Sequence, residues 1–241
     1  VGKKKKLQRF AETETFPNFV QVPFSEAIQG FRLKGKWAAD FFGDSKPLVL
    51  ELGCGKGEYT VGLARRYADR NFIGVDIKGA RMWRGAKSAI EGDLRNAAFL
   101  RTRIELIEHF FGPEEVSEIW ITFPDPQLKQ SRDKKRLTHP LFLNRYRKFL
   151  AAEHFVHLKT DSAPLYHFTL ELARYNGFKI HFSFEDLYHD APNEEAAGIQ
   201  TFYEQMWLKE GLKIHYLRFS LDLEKPVIPL PVADETNQSL E

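Results

Sequence analysis

From Pro47 onward, short apolar runs alternate with amphipathic stretches, and few folds can bury such a pattern. The apolar runs fall near residues 48–52, 72–76, 97–101, 117–123 and 154–160 and read as strands. The stretches near 58–69, 79–92, 103–111, 140–151 and 163–176 carry helical spacing. Strands that alternate with helices are joined by crossovers. The chain is therefore predicted to be an α/β fold, a mostly parallel sheet with helices on both faces. Two further β-rich runs, near 178–184 and 214–221, extend the sheet, and no internal repeat is present.

The two ends differ from this middle. Residues 1–15 are polar and charged without periodicity and read as a mobile basic arm. Residues 16–45 mix aromatics (Phe16, Phe19, Phe24, Phe31, Trp37, Phe41, Phe42) with turn residues, as an extension packed on the main domain would. The main domain is placed at 46–224, and the polar, proline-containing stretch 225–241 is expected to be disordered. A chain of 241 residues with 43% hydrophobic content can bury a sizeable core. No apolar run nears the roughly 18 residues that cross a bilayer, so no membrane partner is expected. Cys54 is the one cysteine, which leaves no internal disulfide. With no secretory pattern at the first residues, a reducing, cytoplasmic location is expected. The net charge of +2 does not by itself call for a nucleic acid. Its distribution is uneven: Lys3 to Lys6 and Arg9 open the chain, and Lys129 to Arg136 holds five basic residues against Asp133. On charge alone, a solvated face with a frayed basic tail accounts for this better than a nucleic-acid surface does.

The first chemical motif follows the first strand of the regular region. Leu48-Val49-Leu50-Glu51-Leu52 leads into Gly53-Cys54-Gly55-Lys56-Gly57, and a helix begins at Glu58. Alternate glycines let a backbone approach a ligand closely, and a helix start offers free N–H groups. A dinucleotide fingerprint needs a glycine at the sixth position, where this chain has Glu58, whose carboxylate would repel a pyrophosphate. Glu51 is placed to accept from an ammonium. Asp76 ends the second strand, 23 residues after Gly53, where a carboxylate holds a ribose hydroxyl pair. An adenosine that carries an amino acid instead of phosphates fits these features, which points to S-adenosyl-L-methionine. Cys54 reads as a small residue that fits the turn.

The second motif ends the strand near 117–123. Pro124 and Pro126 fix an extended turn that holds Asp125 at the carboxyl edge of the sheet. Such an Asp caps turns as often as it binds anything. Beside a methyl donor it can instead accept hydrogen bonds from the N1 and N2 edge of a guanine and aim N7 at the methyl group. Guanine N7 already carries a lone pair, so positioning matters more than general-base help. The basic residues Lys129, Arg132, Lys134, Lys135 and Arg136 follow on one loop, where they can hold the phosphates of a polyanion.

Taken in order, these residues resemble the bacterial tRNA (guanine-N7)-methyltransferase family from about Phe16 to Leu221. The resemblance rests on Glu51 to Gly57, Phe72 to Asp76, Phe123 to Pro126 with Lys129 and Lys134-Lys135-Arg136, Lys159-Thr160-Asp161, and Thr201-Phe202-Tyr203-Glu204. It implies a Rossmann-like, seven-stranded class I methyltransferase sheet and methylation at N7 of a guanosine in the tRNA variable loop. It also implies that Glu51 and Asp76 contact the cofactor, that Asp125 sits in the active site, and that Lys129, Asp161, Thr201 and Glu204 line the substrate side. Three departures from the family's usual pattern stand out: at Asp76, at Arg103-Ile104, and at Gln127 with Ser131. Asp76 stands where many members have Glu. Arg103-Ile104 aligns with an Asn or Asp next to Ala that touches the adenine, leaving the backbone N–H there to serve. Gln127 replaces a frequent Trp, and Ser131 a frequent Arg.

Several other residues read as structural. His154 and His157 stand three apart on a predicted strand and face opposite sides, so they cannot chelate one ion, and no metal is expected. Lys78, Arg81, Arg84 and Lys87 on one helix suit a solvated face better than an RNA surface, and Trp83 and Trp207 suit packing better than base stacking. Thr201 and Glu204 by themselves form a capping box, and Asp161 by itself is a helix cap. The competing functions are a small-molecule N- or O-methyltransferase and a non-catalytic RNA-binding relative. A monomer or a homodimer is compatible with the sequence.

Overall fold

A computed structural model describes residues 3–192 and 194–231. Its sheet is built from β1 (Phe19–Val20), β2 (Leu48–Leu52), β3 (Asn71–Asp76), β4 (Ala97–Arg101), β5 (Val116–Thr122), β6 (Leu150–Thr160), β7 (Lys179–Phe184) and β8 (His215–Ser220), in the order β1-β4-β3-β2-β5-β6-β8-β7. Pairing is parallel from β1 to β6 and antiparallel where β8 joins β6 and β7. This is the expected seven-stranded sheet with one addition. The two-residue β1 joins the β4 edge through Phe19↔Phe99 and Val20↔Leu100. All five residues of β2 are buried, as a central parallel strand covered on both faces requires. Leu48, Leu50 and Leu52 enter the core on one face of the sheet, and Val49 enters the core on the other with Phe72, Phe99 and Trp120. Strand order reverses between β2 and β5, so their carboxyl ends part and leave a crevice for a ligand.

Eight α-helices accompany these strands in the described residues: α1 (Lys3–Thr13), α2 (Phe24–Gly30), α3 (Glu58–Arg66), α4 (Gly79–Glu91), α5 (Pro140–Tyr146), α6 (Ala163–Tyr175), α7 (Leu187–Asp190) and α8 (Phe202–Lys209). The glycine loop is fixed by close packing as well as by φ. Gly57 starts α3 at φ 71°, and a Cβ there would lie 2.4 Å from Phe99 and 3.2 Å from Gly85 Cα. Gly85 on α4 has no more room, with Lys56 O 2.7 Å from its own hypothetical Cβ.

Four local expectations need correction. Residues 3–13 are not an irregular arm: α1 lies along α4. The Glu12 carboxylate accepts from Trp83 Nε1 (2.8 Å) and Lys87 Nζ (3.1 Å), the Arg9 guanidinium covers Trp83, and Phe10 packs beneath Arg101. The stretch 103–111 is a 3-10 helix over Ile104–His109 instead of an α-helix. The helix expected to reach 151 ends at Tyr146, because β6 already begins at Leu150. Residues 225–231 of the expected disordered tail are held by two asparagines that pair with backbone as a strand would. Asn144 exchanges hydrogen bonds of 2.8 and 2.9 Å with Val227, and Asn176 exchanges bonds of 3.0 and 2.8 Å with Ile228. The rest of that expected tail, 232–241, lies outside the described residues, as do residues 1 and 2 of the arm. Among the described residues no helix is long and apolar enough to cross a membrane.

A buried ion pair organises the wall above the crevice. Lys159 near the end of β6 and Glu204 on α8 both have 0% side-chain exposure, and Nζ lies 2.6 Å from Oε1. Nζ also donates to Ala196 O (2.6 Å) and Ile199 O (2.9 Å). Glu204 accepts from Tyr188 Oη (2.7 Å) and Thr201 N (3.1 Å). The segment from α7 to α8 is thereby gathered round one ammonium. Burial pushes the lysine down from its ordinary range while Glu204 opposes the shift. Removing one partner strands the other charge without water. Glu204→Ala should therefore destabilise the protein by about 3–5 kcal/mol, whereas Lys159→Met with Glu204→Met should recover much of that loss. Denaturant melts of the three variants check this, and a Glu204→Ala protein as stable as the parent would show that the pair does not hold the wall.

Candidate active site

A cavity of about 800 Å³ opens at the carboxyl ends of β2 and β5. Glu51 from β2 and Gly53, Cys54, Gly55 and Lys56 from the loop form its floor. Glu58 and Tyr59 come from α3, and Thr122 and Phe123 from the end of β5. Thr201, Tyr203 and Trp207 close one side, and Arg9, Ala80, Arg81 and Arg84 border another.

Glu51 is the most constrained group in it. One carboxylate oxygen accepts from Thr60 N (2.8 Å) and Thr60 Oγ1, and the other accepts from Thr122 Oγ1 at 2.7 Å. Burial raises its pKa to about 7 against the pull of those donors, with the Asp76 charge adding to the rise. A cation at this position relieves that penalty. Asp76 ends β3 and ties the loop to itself: Oδ2 accepts from Gly55 N (3.0 Å) and Oδ1 from Lys78 N (2.8 Å). Each oxygen keeps a lone pair for a hydroxyl. Gly53 and Gly55, at φ 77° and 56°, line the cavity. Gly57 does not line it; its place is the contact with Phe99 and Gly85. The Cys54 thiol is buried, and burial followed by Glu51 and Asp76 pushes its pKa well up, so it is no reactive thiolate. Glu58, the misfit in the dinucleotide pattern, accepts from Phe202 N at 2.8 Å and joins the loop to the first turn of α8.

Arg103 and Ile104 stand at the end of β4. Ile104 packs against the core, and the Arg103 side chain is exposed and 3.6 Å from Glu105. Arg103 borders a second hollow of about 170 Å³, together with Ile77 and Thr102. Asp125 is exposed on its turn, where Oδ1 accepts from Gln127 N at 3.1 Å. Phe123 ahead of it holds φ 47° and lines the main cavity, which Asp125 itself does not. Lys129, Arg132, Lys134 and Lys135 are exposed on the loop that follows. Arg136 differs from them: it is half-buried over Phe168 and donates to Pro126 O (3.3 Å) and Gln127 O (3.4 Å), bracing the Asp125 turn. Asp161 is exposed just after β6, and the cap of α6 is Ser162 instead. Thr201 lines the cavity and completes the capping box. Glu204 contributes to that box but faces Lys159 in the interior, with no surface left for a substrate. Lys159, Thr60, Thr122 and Arg9 carry much of the site's architecture, and no spacing rule marks them. Arg81, Arg84 and Trp207, read as surface and packing residues, border the cavity.

Comparison with known proteins is consistent across sequence and structure. The family described as "Putative methyltransferase" matches residues 45–217. The tRNA (guanine-N(7)-)-methyltransferase of Christiangramia forsetii is 53% identical over 223 residues, 92% of this chain and 100% of that protein. That of Bacteroides fragilis is 50% identical over 92% of this chain and 87% of its own length. Among solved structures, a 16S rRNA methyltransferase superposes with a TM-score of 0.57 at 16% identity, over 84% of this chain and 95% of that one, a likeness of fold. With relatives this similar over nine-tenths of its length, the chain belongs to the tRNA (guanine-N(7)-)-methyltransferase family.

Proposed function

We propose that this chain transfers a methyl group from S-adenosyl-L-methionine to N7 of a guanosine in tRNA. The observation that carries the reading is the pair of carboxylates at the ends of adjacent parallel strands: Glu51 in the cavity floor, and Asp76 behind it, bonded to the cavity-lining Gly55. The donor set suits the cofactor. Glu51 can accept from its ammonium and Asp76 from its ribose hydroxyls, while Gly53 and Gly55 leave the loop without side chains. Tyr59, with a buried hydroxyl that has no partner among the described residues, supplies a further polar group. The hollow bordered by Ile77, Thr102 and Arg103 adjoins Asp76 and suits the adenine. When bound, the cofactor supplies an electrophilic methyl on a sulfonium.

The residues of this chain then bind and aim. Asp125 keeps Oδ2 free on a turn braced by Arg136, and it accepts from the N1 and N2 edge of the guanine. N7 needs no general base, so rate comes from alignment and from keeping water out. Lys129 and Asp161, after β5 and β6, stand on the same carboxyl edge for substrate contacts, and Thr201 contributes from the wall. Arg132, Lys134 and Lys135 form no ion pair among the described residues and are left for phosphates.

Incubation with unmodified tRNA and labelled cofactor should give 7-methylguanosine on nucleoside mapping, and no label in tRNA would reject the proposal. Asp125→Ala should lower that transfer by at least about 100-fold with cofactor affinity little changed; retained turnover would remove Asp125 from the mechanism. Only ionised Glu51 attracts the ammonium, so cofactor affinity should be full above its pKa of about 7 and decline below it. Titration calorimetry should record about a tenfold weakening between pH 8 and pH 6, absent in Glu51→Gln. Neutralising Arg132, Lys134 and Lys135 together should weaken tRNA binding and flatten its salt slope by about two units. An unchanged slope would place the phosphates elsewhere.

A further inference from the structure

Helix α8 is inverted relative to an ordinary surface helix. Its charged Glu204 is 0% exposed, while Phe202 and Tyr203 are 55% and 54% exposed and Met206 is exposed beside them. The Lys159 ion pair accounts for what is inside. Lys56 and Trp207 meet these rings only in part, and a contiguous patch of exposed large apolar side chains marks a place where something binds.

The exposed rings border the reaction cavity. Tyr203 and Trp207 line it together with Phe123, whose ring centroid is 5.0 Å from Trp207; Tyr203 lies 6.2 Å from Trp207. The Lys56 ammonium stands 5.3 Å from the Tyr203 ring and 5.4 Å from Phe202. The wall thus runs from the strained Phe123, two residues before Asp125, to the exposed first turn of α8. Another border of the cavity carries Arg9, Arg81 and Arg84, none of which forms an ion pair among the described residues. Arg9 also lies over Trp83; one guanidinium can meet the cofactor's carboxylate, which leaves the remaining positive charge for an anionic substrate. A cavity with an aromatic wall, a lysine at its rim and unpaired arginines suits a planar base on a phosphodiester chain. An apolar peptide would use the rings and leave the cations unexplained.

We propose that Tyr203 is a stacking platform for the target base, holding the unstacked guanine flat against the Tyr203–Trp207–Phe123 wall with its edge toward Asp125. The inference rests on the methyl-transfer reading and adds to it the group that fixes the plane of the base. Asp125 alone fixes only one edge, and a base held by one edge can still tilt N7 off the line of attack.

The test uses the full chain with three variants, Tyr203→Phe, Tyr203→Leu and Tyr203→Ala. Tyr203→Ala should lose roughly 5- to 150-fold in kcat/KM for tRNA, the range found when one stacking ring is removed. Tyr203→Phe should stay close to the parent, and Tyr203→Leu should fall between the two. Cofactor affinity should be the same in all four proteins, since Tyr203 stacks on the base alone. Binding of a tRNA that lacks the target base separates stacking from any structural effect. The parent and Tyr203→Ala should bind that tRNA equally, while intact tRNA distinguishes them. Equal kcat/KM for parent and Tyr203→Ala, a Tyr203→Phe as impaired as Tyr203→Ala, or the same binding loss on the base-free tRNA would each overturn the platform. A parent that labels tRNA normally while Tyr203→Ala does too would sink this inference and leave the methyl-transfer proposal standing; a parent with no transfer would remove both.

Discussion

A lysine ammonium buried in a protein must be surrounded by acceptors, and Lys159 recruits its acceptors from a segment with little regular structure. The backbone carbonyls of Ala196 and Ile199 and the Glu204 carboxylate converge on Nζ from a stretch made of one short helix, a 3-10 turn and irregular chain. An apolar pair of similar volume would stabilise the core at least as well. It would not specify where each carbonyl goes. The ionic solution fixes the path of the chain between α7 and α8, and with it the face that α8 presents to the cavity.

The cavity floor follows a related logic with the opposite sign. Glu51 is buried at the end of the central strand with hydroxyl and amide donors around it, and among the described residues no cation pairs with it. Its neighbour Asp76 adds negative potential. The site therefore holds an unmet demand for positive charge at its floor. Supplying a resident lysine or arginine there would stabilise the fold and fill the position that a positively charged ligand needs.

The parallel sheet, the glycine loop and the two acidic strand ends are legible in the sequence because each is a local pattern: a period, a turn residue, a fixed offset. Features that depend on long-range contact are not. Helix α1 is eleven residues long and rich in lysine, so nothing in its composition stabilises it alone; it is helical because Glu12, Phe10 and Arg9 find partners on α4 and β4. Asn144 and Asn176 are ordinary helix residues until Val227 and Ile228 lie beside them. Lys159 sits in a recognisable motif, yet its partner lies 45 positions away, and no periodicity links the two. Arg136 shows the converse error. It belongs to a basic run in the sequence, but in space it is spent on the carbonyls of the turn it was expected to accompany.

The hydrogen bond from Phe202 N to Glu58 has a mechanical meaning. Glu58 opens the helix that follows the loop's last glycine, and Phe202 opens the helix that forms the wall, so the two helix starts are tied directly. Lys56 over the Phe202 and Tyr203 rings is a second contact. A displacement of the floor is transmitted to the wall without passing through the sheet. The two halves of the pocket are thus coupled at their rims, and a change that moves one is felt by the other.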